Sequence, residues 1–582
     1  MIKKGMSLSL SLLLILAICP RVYSGDTNHD TEFLLRSAGE HIRNIAANEM
    51  GTSGLTSGGE GVYVTEMLTR FYGKRNYAPA WAGTNGSFPL AETMLEIIEE
   101  VHNEGLVPEY YHVRPIEMLV TELRREGVLT SDGMAELDLL LTDSFLLLGC
   151  HFSAGCIDPV TIDSSWLATR SDLAVDVILD DALKENNIRD NLRDLLPLHS
   201  AYTRLRQRLL QLKKIVLSGG WPVVSHDGVL KKGAHDRDIA TLKKRLIISA
   251  DLEYSYDAEE NRFDNELEKA VIRFQRRHSL YPDGILGPDT LRELNIPAER
   301  RLRQIEINLE RMRWISRYLG HRYILVNIAD FRLDLVDRGK NVMTMDVVVG
   351  KPYWNTPVFT KAMKYLVLNP FWNIPESIAR EEILPRIKKN ITYLAEQKIK
   401  ILGGWSRDAG EIAPESILWE KMTEEYFPYI LRQEAGPLNP LGSIKFMLPN
   451  KYNIYLHDSP ARGLFSRNSR AFSHGCIRVH RPVDLAEYLL KEDPAWSREK
   501  IVSSIKSGEY IRIDLSRPIN VHIVYLTAWV NDSDILQFRG DVYGRDEKLD
   551  RALRKKPSTL AASLINQDHA EDRRSNTVMS DN

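Results

Sequence analysis

The first two hundred residues carry a helical pattern of apolar positions. From about Thr31 to Pro222, apolar residues recur three and four positions apart, which places them on one face of an α-helix. The clearest example is the series Leu205, Leu209, Leu212 and Val216. The stretch offers packing surface but no evident chemistry. We therefore predict a mostly helical scaffold domain over residues 25–235.

A smaller unit with the same periodicity follows over residues 236–296. Leu242 and Leu246 lie four positions apart in one short segment, and the next segment repeats the pattern at Leu267, Ala270, Val271 and Phe274. The stretch 283–288 then reads DGILGP, a tight turn that leads into a helix with proline at its first position. The pattern predicts three short helices around one small core.

From about His321 the periodicity changes to that of β-strands. Short runs rich in β-branched residues, separated by polar turns, cover residues 323–328, 332–336, 342–349, 365–368, 452–456, 511–515 and 521–527. Such a series is typical of a mainly antiparallel β-sandwich or barrel, and we predict a β-sandwich domain over residues 297–553. Residues 376–429 interrupt it with a mixed-charge pattern that we interpret as helical, with Ser377 as a helix cap. An excursion of this length predicts a lid.

Composition narrows the class of protein. The chain has 582 residues, 27% of them charged, and a net charge of −3, which is ordinary for a folded, multidomain α+β protein. It excludes a wholly disordered chain, and it leaves no global positive field to hold nucleic acid. We expect the polar tail, residues 554–582, to be disordered.

The N-terminus resembles an export signal. Lys3 and Lys4 precede a short apolar run and the small residue Ser24, which predicts a signal peptide over residues 1–24 and secretion. A later apolar stretch, residues 137–148, contains two aspartates, so we interpret it as a buried helix and expect no other membrane span. After signal removal three cysteines remain. Cys150 and Cys156 could pair, which would leave Cys476 as an odd thiol.

Cys476 lies in a sequence context that suits nucleophilic chemistry. It follows Gly475 in a turn, and Arg478 lies close behind it; nearby cations would raise the thiolate fraction of a cysteine. His457 stands at the end of a strand-like run 19 residues upstream, where an antiparallel return of the chain would bring its imidazole to the thiol as a base. Gly475 would let backbone N–H groups approach a developing oxyanion.

Two stretches resemble known families of the bacterial cell wall. Residues 270–294, AVIRFQRRHSLYPDGILGPDTLREL, resemble the three-helix peptidoglycan-binding domain. His457, followed after fifteen residues by Ser473-His474-Gly475-Cys476, resembles the signature of L,D-transpeptidases of the YkuD type. Within that family the chain is most similar to the large periplasmic murein enzymes of Gram-negative bacteria. Those combine a helical scaffold, a peptidoglycan-binding domain and a catalytic β domain with a lid.

The resemblance implies roles for the site residues. Cys476 would be the nucleophile and His457 the general base, while the backbone amides of His474, Gly475 and Cys476 would form the oxyanion hole. On the substrate side, Arg478 would support the site or meet a substrate carboxylate, and Asp458 is a further candidate contact. Ser473 and His474 have more than one possible role. Asp458 occupies the position that orients the base through its backbone carbonyl, and its carboxylate could also raise the basicity of the imidazole.

A metal site is the main alternative use of these side chains. The candidates are His457, His474, Cys476 and His480, but no second cysteine lies nearby and the chain has no HExxH motif. We therefore expect neither a metal nor an organic cofactor.

The resemblance implies a specific reaction on the stem peptides of the cell wall. Cys476 would attack the carbonyl of the third, diamino residue of a tetrapeptide and release D-Ala, and the thioester would pass to another stem as a 3–3 cross-link. Water as acceptor would give an L,D-carboxypeptidase instead, and a third alternative is a binding scaffold without turnover. Carbapenems would acylate the same thiol. The compartment implied is the periplasm, and nucleic acid is not an expected partner.

Overall fold

The computed structural model describes residues 27–48, 56–57, 60–166, 173–253, 261–404 and 410–557. The predicted signal peptide lies outside these ranges, and so does the predicted tail from residue 558 onward. Across the described residues the fold is multidomain α+β: helices fill the first part of the chain, and a large sheet fills the last part. This confirms the fold class predicted from the sequence.

Nine helices and one two-stranded ribbon are described before residue 218. The helices are α1 (Thr27–Asn48), α2 (Thr65–Lys74), α3 (Ala91–Glu100), α4 (Val113–Glu126), α5 (Ser131–Ala154), α6 (Pro159–Ile162), α7 (Val175–Lys184), α8 (Ile188–Arg193) and α9 (Ser200–Leu217). The ribbon pairs β1 (Thr56–Ser57) with β2 (Glu60–Gly61). The apolar faces of α1 to α5, α7 and α8 meet in one core around α5, whereas α9 packs in a separate cluster.

Two carboxylates explain how α5 can be buried along its length. Asp138 accepts hydrogen bonds from the backbone N–H groups of Ala80 and Trp81, at 2.8 to 2.9 Å, and Asp143 accepts from those of Tyr63 and Val64. These bonds satisfy charges that would otherwise be costly in an apolar interior. By length and composition α5 is the described helix that could cross a membrane, and its apolar stretch is fully buried inside the protein. No disulfide joins Cys150 on α5 to Cys156 beyond its end in the described chain, so the possible pair is not formed.

The second unit contains α10 (Asp238–Ile248), α11 (Asn265–Arg277) and α12 (Pro288–Leu294). Their apolar faces form one small core that includes Leu242, Leu246 and Phe274. The buried Gln275 side chain organises the turn before α12, because its amide nitrogen donates to the Ile285 carbonyl and its oxygen accepts from the Gly284 N–H at 2.9 Å. Gly284 has a φ of +71°, a conformation that favours glycine.

A long helix, α13 (Ala298–Arg313), joins all parts of the described chain. It packs against α9 on one side and against the end of the large sheet on the other. Buried polar contacts fix it in place: Arg311 pairs with Asp546 at 2.5 Å, and Arg313 pairs with Glu310 and also contacts the Glu104 carbonyl of the helical part. The sequence pattern did not separate this helix from the β domain that follows it.

Nine strands form the large sheet. They are β3 (Arg322–Asn327), β4 (Arg332–Asp337), β5 (Lys340–Gly350), β6 (Phe359–Leu368), β10 (Ile444–Met447), β11 (Leu456–His457), β12 (Ala471–Ser473), β13 (Ile477–Val479) and β14 (Ile511–Val524). Their order is β12-β5-β13-β11-β10-β6-β14-β3-β4, and β4 also pairs with β5, so eight strands close into a ring. Six pairings are antiparallel and three are parallel. The predicted sandwich is therefore one continuous, mainly antiparallel ring.

The remaining elements flank the sheet. Helices α17 (Pro482–Leu490), α18 (Arg498–Ser507) and α19 (Arg545–Leu553) cover it, and β15 (Ala528–Val530) pairs with β16 (Leu536–Phe538) beside α13. Two runs predicted as separate strands, 511–515 and 521–527, are one strand, β14, whose register shifts between Asp514 and Ile519. Pro518 lies in this irregularity, where a missing N–H donor is tolerated.

The insertion between β6 and β10 is less helical than predicted. It contains the helices α14 (Glu376–Ile378), α15 (Leu384–Lys389) and α16 (Thr392–Glu396), a π-helical turn (Ala379–Ile383), and a sheet of β7 (Trp372–Asn373), β8 (Ile399–Leu402) and β9 (Ile430–Gln433). The strands arise because Ile399, Ile401 and Leu431 bury their side chains in the insertion's own core. Ser377 was wrong as a cap, since Pro375 occupies that position.

Candidate active site

The pairing of two short strands places His457 and Cys476 on one face of the sheet. β11 and β13 run parallel, with Leu456 opposite Ile477 and His457 opposite Arg478. Leu456 and Ile477 are fully buried on the inner face. Because side chains alternate along a strand, His457, Arg478 and Cys476, two residues before Arg478, all lie on the other face.

The two side chains are neighbours on that face without a direct bond. Within the described residues, the Cys476 thiol lies 3.7 Å from the Asn453 carbonyl, and no hydrogen bond joins it to the His457 ring. The strand that brings them together is parallel to its partner, whereas we expected an antiparallel return.

Backbone groups hold the His457 ring in place. Its Nδ1 donates to the Asp458 carbonyl at 2.5 Å, and the Leu441 backbone also hydrogen-bonds the ring. The side chain is buried. Burial, reinforced by the positive charges of Arg478 and Lys445, lowers the pKa of His457 to about 3. The resting imidazole is therefore neutral and suited to accept a proton.

The thiol of Cys476 is also neutral at rest. Burial raises the pKa of Cys476 above its usual value, and this outweighs the opposite effects of the Tyr455 hydrogen bonds and of the charges on Lys445 and Arg478. The nearby cations favour the thiolate, as expected from the sequence, but desolvation of the sulfur has the larger effect.

Two residues near the thiol were missed from the sequence. Lys445 on β10 lies opposite His457, so Lys445, His457 and Arg478 form a row across three strands. The Lys445 ammonium lies 3.8 Å from the centre of the Tyr455 ring, and Tyr455 hydrogen-bonds the Cys476 sulfur. The sequence does contain a sign of Lys445, because the run Ile444-Lys445-Phe446 places a lysine between two apolar residues. In the structure both apolar residues are fully buried in β10.

The turn that carries the thiol is held together by Ser473. The Ser473 hydroxyl donates to the Cys476 carbonyl at 2.6 Å and accepts from the Gly475 N–H at 3.1 Å. Thr356 adds a hydrogen bond to the Gly475 carbonyl. Gly475 has a φ of +106°, which L side chains rarely adopt. The Gly475 N–H is thus occupied, and its predicted part in an oxyanion hole requires that the bond to Ser473 be exchanged.

His474 contacts the insertion. Its Nε2 lies 2.6 Å from Glu382 Oε1 in the π-helical turn, and its ring lies 3.9 Å from that of Trp354. A second contact reaches the site from the root of the insertion, where the Trp372 side chain hydrogen-bonds Tyr455. The insertion therefore touches both the turn that carries Cys476 and the aromatic residue that bonds its sulfur.

The structure separates the two predicted substrate contacts, Arg478 and Asp458. The Asp458 carboxylate is buried and accepts from the Ser443 N–H and hydroxyl at 2.9 and 2.8 Å, so it faces away from the base, and only its backbone carbonyl orients the ring. The substrate role of Asp458 stays a prediction. Arg478 faces the thiol side, where burial lowers its pKa, and its Nε has no hydrogen-bond partner among the described residues.

The four residues considered as metal ligands have other contacts. His457 bonds the Asp458 carbonyl, His474 bonds Glu382, Cys476 lies 3.7 Å from the Asn453 carbonyl, and His480 stacks on Phe465 at 4.9 Å between ring centres. In the described part of the chain, the group of carboxylates and imidazoles close enough to share one ion is His226, Asp236 and Asp238, at the start of the three-helix unit.

Comparison with protein families assigns three parts of the chain. Residues 66–209 match a scaffold domain, residues 235–294 a peptidoglycan binding domain, and residues 321–496 an L,D-transpeptidase catalytic domain. A protein of Haemophilus influenzae named "Putative L,D-transpeptidase" is 34% identical over 263 residues, which is 45% of this chain and 51% of that protein. The chain thus spans about half the length of this curated relative.

Two solved structures are also similar to the chain. One is an L,D-transpeptidase of Xylanimonas cellulosilytica, at 12% identity over 51% of this chain and 98% of that one, with a TM-score of 0.16. The other is from Stackebrandtia nassauensis, at 12% identity over 52% of this chain and 96% of that one, with a TM-score of 0.19. Likenesses this weak support no conclusion about the chain.

Proposed function

We propose that this protein joins peptidoglycan stem peptides through 3–3 cross-links, because residues 321–496 form an L,D-transpeptidase catalytic domain and residues 235–294 a peptidoglycan-binding domain. The two domains imply a wall-associated protein, and we place it in the periplasm. The observation that carries the proposal is the pairing of β11 with β13. It sets a neutral imidazole, fixed at Nδ1 by a carbonyl, on the same face as the Cys476 thiol.

The order of proton transfers follows from the neutral resting states of the Cys476 thiol and the His457 imidazole. As the Cys476 sulfur attacks the carbonyl of the third stem residue, its proton passes to Nε2 of His457. The C–N bond to D-Ala then breaks, and His457 returns this proton to the leaving amine, which leaves a thioester on Cys476. Proton transfer at the moment of attack avoids a standing thiolate–imidazolium pair, which burial disfavours here.

The second half of the reaction repeats these steps in reverse. The side-chain amine of another stem attacks the thioester carbonyl, His457 accepts a proton from it, and the thiol is released. An amine is a better nucleophile than water toward a thioester, so exclusion of water by the insertion would favour cross-linking over hydrolysis. We propose that the insertion, residues 376–429, is this lid.

The cations beside the base suit an acidic substrate. The stem ends in a carboxylate, and Arg478 and Lys445 lie on either side of His457 on the same face. The Nε of Arg478, buried and without a partner in the described chain, offers one donor to such a group. A bound anionic substrate would also raise the pKa of His457 toward the working pH. A general base transfers protons most effectively when its pKa lies near that pH.

The test is a digest of purified sacculi after incubation with the protein. The wild-type chain should produce 3–3 cross-linked muropeptides and free D-Ala, and Cys476→Ala should produce neither. Release of D-Ala without cross-links would identify an L,D-carboxypeptidase. Identical profiles for both chains would leave a wall-binding scaffold without turnover. Carbapenem should add its mass to the wild-type chain at Cys476 and leave Cys476→Ala unchanged.

A further inference from the structure

A cleft of about 810 Å³ lies away from Cys476, where three parts of the molecule meet. Its walls come from α9, from α10 and α11 of the peptidoglycan-binding unit, and from the catalytic domain beside β4, β5 and the β15–β16 hairpin. Nine arginines and four aspartates line it, with neither lysine nor glutamate among the described lining residues. We call it the arginine cleft.

The aspartates of the cleft are already neutralised. Each accepts from one of the lining arginines in a short ion pair: Arg277–Asp251, Arg539–Asp330, Arg470–Asp346 and Arg208–Asp534. Of the other five arginines, Arg301 pairs with Glu293 and Arg332 lies 3.9 Å from Asp346. Three arginines of the peptidoglycan-binding unit are therefore left without a carboxylate partner in the described chain: Arg245, Arg273 and Arg276.

Arg245 is a buried cation with an unused donor. It is 1% exposed, its Nε donates to the Leu294 carbonyl at 2.9 Å, and its guanidinium lies 3.8 Å from the centre of the Trp221 ring. Its Nη1 is buried and has no hydrogen-bond partner among the described residues. Burial, with a further contribution from Arg277, lowers the pKa of Arg245 to about 9. An anion in the cleft would stabilise this charge and satisfy the donor.

Arg273 and Arg276 present two more guanidinium groups at the mouth of the cleft. They are exposed and lie three positions apart on α11, a spacing that puts them on one face of the helix. Arg273 donates to the Asp251 backbone carbonyl, which leaves its outer nitrogens free for a ligand. Guanidinium groups bind carboxylates through paired hydrogen bonds, so three of them in one cleft select a ligand with more than one acidic group.

Part of the cleft wall is apolar. Leu212 and Ile215 of α9 and Leu536 and Phe538 of the hairpin line it and belong to one apolar cluster. A ligand that suits both surfaces combines carboxylates with aliphatic side chains, as an acidic peptide does. Inorganic anions would use the arginines alone.

We propose that the arginine cleft binds the carboxylate groups of a peptidoglycan stem peptide, with Arg245, Arg273 and Arg276 as donors. The choice of this peptide rests on the proposed function. Arg470, which lines the cleft, immediately precedes β12, the strand that leads into the turn of Cys476. A stem held here would be anchored by the peptidoglycan-binding unit and by the catalytic domain together, which raises its effective concentration at the wall.

The experiment measures binding by calorimetry in the full chain carrying Cys476→Ala, which prevents turnover. The probe is the stem tripeptide L-Ala-γ-D-Glu-diaminopimelate. Adding Arg273→Ala and Arg276→Ala should weaken binding at least about tenfold. A matched pair, Lys269→Ala and Arg292→Ala, removes two exposed charges from the same unit outside the cleft and should leave binding unchanged. These four side chains are exposed, so none of the variants depends on a buried replacement.

A second arm tests the chemistry of recognition. Amidation of the D-Glu carboxyl should weaken binding to the Cys476→Ala chain and make little difference once Arg273 and Arg276 are replaced. Equal affinity of the cleft variant and the matched control, or indifference to amidation in both backgrounds, would overturn the proposal. Sacculus digestion tests the chemistry at Cys476 and not the cleft. If the wild-type chain forms no cross-links but binding still depends on the cleft arginines, the proposed function is rejected and the cleft proposal stands.

Discussion

At the scale of single residues, the site is defined by burial more than by formal charge. His457 lies between two cations, and burial, reinforced by these charges, keeps its imidazole neutral. Cys476 has the same cations nearby, yet desolvation raises the pKa of its thiol. The neutral thiol can thus donate a proton and the neutral imidazole can accept it. We expect this transfer only when a substrate is bound.

The first prediction concerns alkylation of Cys476. Because the folded pKa of the thiol is raised, its thiolate appears only at higher pH than in free cysteine. We expect iodoacetamide to label Cys476 more slowly than free cysteine at pH 6 to 8, with a rate that still rises above pH 9. Peptide mass spectrometry gives the rate at this site. Labelling at pH 6 that is faster than that of free cysteine would contradict the neutral thiol.

The second prediction concerns Lys445. Lys445→Met removes one of the two charges that lower the pKa of His457, so this pKa should rise from about 3, and the acid limb of the pH–kcat/KM profile should move to higher pH. The pKa of Cys476 should rise as well, since Lys445 lowers it. Lys451→Met, at an exposed position nearby, is the control. An acid limb in the same place for both variants would show that the Lys445 charge does not reach the base.

Residue identities alone indicate part of this site. The spacing of His457 and Cys476 is sufficient to select them, since the pair of residue types is chemically specific. Lys445 cannot be selected in this way, because its importance depends on β10 lying beside β11, a pairing between chain segments that no local pattern encodes. The neutral state of the thiol is likewise inaccessible from the sequence, because desolvation depends on everything packed around the sulfur.

At the scale of elements, the turn before β13 and the π-helical turn of the insertion control the site. The turn places Cys476 through the unusual backbone of Gly475 and the bridging hydroxyl of Ser473. The π-helical turn reaches it through the contact between Glu382 and His474. Such turns often mark functional positions in helices.

The third prediction tests the turn. Gly475→Ala introduces a Cβ at a φ of +106°, at a cost of about 1–3 kcal/mol in backbone strain. Relief of the strain would shift the Cys476 sulfur, so we expect a loss of at least about tenfold in kcat. Gly463→Ala is the matched control, because Gly463 has open space and no positive φ. Equal kcat values for the two variants would show that the turn tolerates the side chain.

The fourth prediction tests the contact with the insertion. Glu382→Gln removes the charge from the hydrogen bond to His474, which should loosen the insertion against the turn. We expect faster hydrogen exchange in residues 376–404 and a higher ratio of hydrolysis to cross-linking. The neighbouring Glu381 is exposed, so Glu381→Gln provides a control. If hydrogen exchange is unchanged in both variants, the contact between Glu382 and His474 does not hold the insertion against the turn.

The strand pattern predicted the long strands β3 to β6 and β14, but not the short strands β10, β12 and β13 or the closure of the ring, and the run 452–456 overlaps β11 by one residue only. Runs such as 323–328 and 332–336 matched β3 and β4 closely, because alternation along a strand is local information. The pairing of β4 with β5, which completes the ring, joins the ends of the strand order and leaves no mark in either segment. The strands of the insertion were missed because each is only two to four residues long.

At the scale of the whole molecule, α13 is the element that every part shares. It contacts α9 and the β15–β16 hairpin. Its buried Arg311 pairs with Asp546 of α19, and its buried Arg313 pairs with Glu310 of the same helix and contacts the Glu104 carbonyl of the helical part. The helical part and the catalytic domain are therefore joined through largely buried polar contacts, where loss of one partner is costly.

The fifth prediction follows from Arg313, which is buried beside Glu310 and the Glu104 carbonyl. Arg313→Met leaves the Glu310 carboxylate buried and without its partner, at a cost of about 3–5 kcal/mol. We expect the thermal midpoint to fall by about 10 °C. Arg300→Met, on an exposed position of the same helix, should change it little. A similar thermal midpoint for both variants would show that the Arg313 contacts contribute little to the stability of the protein.

The β6–β10 pairing bears on how this architecture arose. Leu368 at the end of β6 lies directly opposite Ile444 at the start of β10, so the whole segment between them enters and leaves the ring at one point. A ring with a two-residue hairpin at this point would keep every other strand pair. Ancestral proteins could therefore have acquired, exchanged or lost the segment in a single genetic event, and a chimera that receives it from a relative should keep the ring intact.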